Sequence, residues 1–137
     1  VPHVHGGLLA TPDQHDELIN KLGYPLIDLC CVDFYPLEEV IAKPGATELS
    51  VVEATDIGGP TMVRSAAKGG RIVIIDPADR QCVLDWIKAD QPDAPNFRRK
   101  LAAKVEAVVA HYCLQSAIFH SGGRITGSIT IPPLEGC

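Results

Sequence analysis

The sequence predicts an α/β fold, a mostly parallel sheet with helices on both faces, on three grounds. Two apolar runs, 26–34 and 71–76, are nearly continuous rather than alternating, as in strands buried on both faces of a parallel sheet. Stretches with helical spacing of apolar residues separate and follow them. Between the runs, Asp56-Ile57-Gly58-Gly59-Pro60-Thr61-Met62-Val63-Arg64-Ser65-Ala66-Ala67-Lys68 reads as a glycine-rich turn feeding a helix.

With 137 residues the chain is long enough for one domain with a real core, and residues 1–137 are read as one unit. No apolar run is long enough to span a bilayer, and no basic segment precedes an apolar one in the manner of a secretion signal. The net charge of −5 argues against general nucleic-acid binding, so an anionic ligand needs a local cationic pocket. The cysteines are Cys30, Cys31, Cys82, Cys113 and Cys137, with no Cys-x-x-Cys pair. That pattern argues against a disulfide framework or a zinc site and for a reducing, cytoplasmic setting.

The elements follow in order. Residues 1–10 are apolar with two histidines; on extended chain His3 and His5 face one side, but two histidines make an incomplete metal site, and the segment reads as a loop. Thr11-Pro12-Asp13 opens a helix whose apolar stripe is Leu18, Ile19 and Leu22, ended by Gly23. The first strand, 26–34, leads to Asp33-Phe34-Tyr35-Pro36, where ligands gather in open α/β sheets. Short helices are expected over 36–41 and 47–54. Gly69-Gly70 caps the central helix, and the second strand, 71–76, follows. Asp76-Pro77 starts a helix carrying Val83, Leu84, Trp86 and Ile87. Residues 91–95 form a loop, and Asn96 caps a long helix that turns Leu101, Val105, Val108, Val109 and Tyr112 to the core. Arg98, Arg99, Lys100 and Lys104 read as its solvated face. After Gly122-Gly123, alternating Ile125, Gly127, Ile129 and Ile131 predict a strand or extended arm, 122–137, suited to pairing with a neighbouring subunit.

Chemistry concentrates in the central stretch. A helix beginning near Gly58 points N–H groups and the positive end of its dipole at whatever lies in front, be it a phosphate, a carbonyl oxygen or a developing oxyanion. Asp56 sits at that mouth, and Arg64 and Lys68, four apart, share one helix face.

That stretch resembles the signature of the IMP cyclohydrolase domain of the bifunctional AICAR transformylase/IMP cyclohydrolase family, which has the methylglyoxal synthase-like fold. Three other stretches are similar to its motifs in the same order: Pro2 to Leu9 to HPxxHGGLL, Ile27 to Pro36 to the strand ending in NLYPF, and Ile74 to Asp79 to DPxDY. The likeness covers about residues 1–112. Departures include Asp33 for Asn, Leu37 for Phe, Gly69 for Asn and Arg80 in the last position of DPxDY.

The resemblance implies a three-layer α/β domain that closes the purine ring of formyl-AICAR with loss of water, using no cofactor and no metal. It implies that Asp56 orients the carboxamide and that the N–H groups of Ile57, Gly58 and Gly59 line the reacting groups. Lys68 and Tyr35 would supply protons or stabilise the tetrahedral oxygen. Asp33 stands where the family's base-contacting Asn does, and Thr61 and Arg64 would serve as pocket wall or phosphate contacts. The implied partners are a small ribonucleotide and a second copy of the chain as a homodimer, with neither nucleic acid nor membrane. The family's phosphate loop and second catalytic lysine precede the point matched by Val1, so a partial domain, or a half supplied by another chain, is expected. Two alternatives stay open: a related cyclase or dehydratase acting on another substrate, and a non-catalytic nucleotide-binding module.

Overall fold

The computed structural model describes residues 1–135. Two strands, β1 (Leu29–Cys31) and β2 (Ile72–Ile74), pair in parallel, with Leu29 opposite Ile72 and Cys31 opposite Ile74. Six α-helices accompany them: α1 (Pro2–Leu9), α2 (Leu37–Ala42), α3 (Glu48–Glu53), α4 (Gly58–Lys68), α5 (Arg80–Lys88) and α6 (Ala94–His120). The fold is α/β, with α2, α3 and α4 in the crossover between the strands.

Successive side chains of β2 leave opposite faces of the sheet, and each face has its own core. Val73 and Ile75 join Leu8 of α1, Cys30 of β1, Val63 and Ala66 of α4, and Val105 and Val109 of α6. Ile72 and Ile74 pack instead with Val83 and Trp86 of α5 and with Phe97 and Leu101 of α6. Trp86 stacks on Phe97 with ring centres 4.3 Å apart. Helix α6 therefore passes from one core to the other along its length. Among the described residues, no helix is long and apolar enough to cross a membrane.

The structure departs from the sequence reading in several places. The sheet is shorter than the apolar runs, because each strand has one neighbour; beyond the ladder only the bonds Val32 N–H to Ile74 O and Ile72 N–H to Asp28 O extend it. Residues 2–9 are helical, not a loop, so His3 and His5 are about 200° apart around α1 and cannot share a ligand. Residues 12–21 form a 3₁₀ turn and a π turn rather than one regular helix; the wide turn buries Leu18 and leaves Ile19 and Leu22 exposed. Helix α6 starts at Ala94, within the predicted loop, after Asp93 adopts a left-handed backbone.

Lys104 is not on a solvated face. It is buried and bonded to Asp79 at 2.7 Å and Asp76 at 3.0 Å. The arm forms no strand among the described residues; Ile131 to Glu135 fold back on α6, lining a cavity with Lys100 and Lys104. The arm's Gly136 and Cys137 lie outside the described residues. Cys30, Cys31 and Cys113 are free thiols, whereas Cys82 is disulfide-bonded, against the all-thiol expectation.

Candidate functional site

The turn ahead of α4 is built from three directions. Its own carboxylate closes it: Asp56 Oδ1 accepts the Gly59 N–H at 2.8 Å. From α6, the Tyr112 hydroxyl accepts the Asp56 backbone N–H at 2.6 Å and donates to Ala54 O at 3.4 Å. From the end of β1, Phe34 meets Tyr112 edge to face, ring centres 5.2 Å apart. Gly59 fills the remaining space: a Cβ there would lie 2.9 Å from Asp56 Oδ2 and 3.0 Å from Phe34 Cδ1. Burial pushes the Tyr112 phenol above its usual range, so at neutral pH it keeps its proton and its donor role.

Beside this turn, Tyr35 is 63% exposed and borders a pocket of about 200 Å³ with Glu38, His111 and Tyr112. His111 Nε2 pairs with the Glu38 carboxylate. Asp33, also at the carboxyl end of β1, is gripped by Arg80 at the start of α5, with one guanidinium nitrogen 2.8 and 3.1 Å from its two oxygens. That bond, followed by a weaker one that Arg80 donates to Cys31, holds the Arg80 guanidinium charged even more firmly than usual.

Along the flank of α4 runs an open groove of about 900 Å³, lined by Thr61, Arg64 and Lys68 together with Ser65, Glu106 and Cys113. Positions 61, 64 and 68 share one helix face. Within it, Arg64 Nε is 3.2 Å from Glu106 Oε2, and the Thr61 hydroxyl donates to Ile57 O at 2.7 Å. Ser65 Oγ lies 2.8 Å from His5 Nδ1, tying α4 to α1. Lys68 is exposed at the groove wall.

The predicted residues thus fall into two groups. Asp56, Ile57, Gly58 and Gly59 form the start of α4; Tyr35 lies on the neighbouring pocket that Tyr112 also lines, and Asp33 stands on the same strand end, bound to Arg80. Thr61, Arg64 and Lys68 line its flank. Ten residues at 1.5 Å each put Lys68 about 15 Å along the helix axis from Gly58. Two details differ from expectation. The Gly59 N–H is taken by Asp56 rather than directed at a ligand, and Arg64 is already paired. Sequence reading missed Tyr112, which its helical spacing marked only as core, and Glu106 and His111, which no local pattern distinguishes from solvated helix residues. Among the described residues, no group of three or more His, Cys, Asp or Glu side chains is placed to hold a metal.

No family model matches the chain. It is 47% identical over 115 residues to the bifunctional purine biosynthesis protein PurH of Bacillus cereus (strain B4264), covering 81% of this chain and 22% of that protein. PurH of Bacillus mycoides (strain KBAB4) matches over the same length at 46% identity. The chain's homologues are PurH proteins. The chain spans about a fifth of the length of the PurH relatives it matches. The crystal structure of ForH superposes with a TM-score of 0.74 at 28% identity, covering 92% of this chain and 67% of that one.

Proposed function

We propose that this chain carries the IMP cyclohydrolase chemistry of a PurH-type enzyme, closing the purine ring of formyl-AICAR with loss of water. The observation that carries the reading is α4 itself. An acid-closed glycine turn stands at its start beside an exposed tyrosine, and a lysine-bearing groove runs down its flank. The 47% identity to PurH supports it.

The carboxamide nitrogen attacks the formyl carbon, forming the C–N bond, and the formyl oxygen leaves as water with two protons from nitrogen. The chemical demands are a near-attack geometry, an acceptor for the amide N–H and proton donors for the departing oxygen. Asp56 keeps acceptor capacity after its bond to Gly59, since a carboxylate has about four lone-pair sites. It orients the carboxamide. The N–H groups of Ile57 and Gly58 and the phenol of Tyr35 serve the reacting oxygen, and Lys68, about 15 Å farther along α4, supplies positive charge to the part of the ribonucleotide that lies in the groove. A ribonucleotide laid along α4 meets Thr61 and Arg64 on the way. No cofactor or metal is required by this chemistry.

In this reading the chain is one methylglyoxal synthase-like domain of three layers, cytoplasmic and homodimeric.

Ultraviolet monitoring of formyl-AICAR ring closure tests the proposal. Turnover that falls at least about tenfold in Lys68→Ala, the loss of roughly one charge-assisted hydrogen bond to the bound ribonucleotide, supports it. No ring closure by the wild-type chain, alone or mixed with the remainder of a PurH protein, overturns it.

A further inference from the structure

Resting on that reading, we propose that Arg80 is a positioning residue that fixes the Asp33 carboxylate as acceptor for an N–H-bearing edge of the heterocycle. Arg80 and Asp33 meet across the carboxyl ends of the two parallel strands, the place where open α/β sheets bind ligands. Both backbones are pinned. Asp33 precedes Phe34, which packs on Tyr112 and against Gly59. Arg80 follows a turn in which Asp76 accepts the Ala78 N–H at 2.9 Å and Asp79 is bound by the buried Lys104.

The pair itself is 51% and 58% exposed, so it adds little to stability. Its consequence is geometric. The guanidinium touches both carboxylate oxygens and leaves lone pairs on each facing away from it. A carboxylate held this way rejects acceptor edges and takes donors, such as an amine or carboxamide N–H.

The experiment titrates AICAR into wild type, Arg80→Ala, Arg80→Lys, Asp33→Ala and the Arg80→Ala/Asp33→Ala double variant by calorimetry, with melting curves and ring-closure kinetics alongside. Arg80→Ala should weaken AICAR about tenfold, the loss of roughly one charge-assisted hydrogen bond. KM should rise with kcat held, and the melting curve should not move. Arg80→Lys should restore only part of the loss, because an ammonium lacks the planar guanidinium's fixed geometry. In the Asp33→Ala background, removing Arg80 should cost nothing more. Unchanged binding in Arg80→Ala overturns the proposal, as does a loss that persists without Asp33, which would put Arg80 itself on the ligand. A wild-type chain that closes the ring while either result holds leaves the cyclohydrolase reading standing. A wild type that neither binds AICAR nor closes the ring, alone or mixed with the remainder of a PurH protein, overturns both.

Discussion

The Tyr112 hydroxyl accepts the backbone N–H of Asp56 at 2.6 Å, joining the middle of α6 to the turn that opens α4. The residues are 56 apart in sequence, and nothing else described holds that N–H. Tyr112→Phe keeps the ring contact with Phe34 and removes only the hydroxyl. We expect it to cost about 1 kcal/mol in urea denaturation, the net worth of one hydrogen bond. Ring closure should suffer more than that, because the Asp56 carboxylate loses its fixed base. Equal losses in stability and rate would show that Tyr112 does no more than hold the core.

The three glycines around α4 should respond differently to alanine. A Cβ on Gly58 meets nothing within 4 Å, so Gly58→Ala should be neutral or stabilise by up to about 1 kcal/mol through the unfolded chain. Gly59→Ala forces the methyl against Asp56 and Phe34 and should cost about 1–3 kcal/mol. Gly69→Ala brings the methyl within 1.9 Å of the Leu8 backbone oxygen, so α1 itself must move and the cost should exceed about 3 kcal/mol. Thermal melts of the three variants check the order; a stable Gly69→Ala would contradict the close approach of α1.

Gly69 also shows what the sequence could and could not reveal. The Gly69-Gly70 pair marked the end of α4, and the helix does end there. The pair suggested a left-handed cap, but Gly69 has φ −76° and the left-handed residue is Gly70. Gly69 is small because another backbone crosses it, which no local pattern records. The same holds across the fold. Strand and helix placement rests on periodicity within one segment, and it was legible for β1, β2, α2, α3 and α4. The short ladder depends on how many neighbours a strand finds, and the π turn at 17–21 depends on how Leu18 packs; neither is local. In the site, Asp56 and Lys68 were legible by type, whereas Tyr112, Glu106 and the Arg80 pairing come from elements distant in sequence.

Lys104 makes stability sensitive to pH at both extremes. Burial alone would lower its pKa, but the hydrogen bonds to Asp79 and Asp76 outweigh it and raise the ammonium above its ordinary 10.5. A raised cation stabilises fully below 10.5, and that contribution is lost as pH climbs through the higher folded value. Asp76 runs the other way. The Ala78 N–H first, and Lys104 second, hold it below its ordinary 3.8, so its contribution is present above 3.8 and is lost as pH falls through the lower folded value. Lys104→Ala strands the buried Asp79 carboxylate and should cost about 3–5 kcal/mol at neutral pH. Urea midpoints measured against pH should fall in wild type above about pH 10.5. A wild-type curve flat through that range would mean the ammonium gains nothing from its two partners.

The groove along α4 makes the most direct test of how charge is set for an anionic ligand. Arg64 and Glu106 are 61% and 52% exposed, so their ion pair contributes less than about 1 kcal/mol to stability. Its larger effect is on potential, since Glu106 cancels one of the two cationic side chains facing the groove. Glu106→Gln should therefore leave the melting curve in place while tightening IMP by about threefold at low salt, with a steeper loss of binding as salt rises. Arg64→Ala should weaken IMP more in the Glu106→Gln background than in wild type, because only there is the guanidinium free to meet a phosphate. An IMP affinity indifferent to Glu106 at every salt concentration would move the phosphate away from this flank of α4. The 15 Å between Lys68 and the turn would then lie outside the path of the substrate.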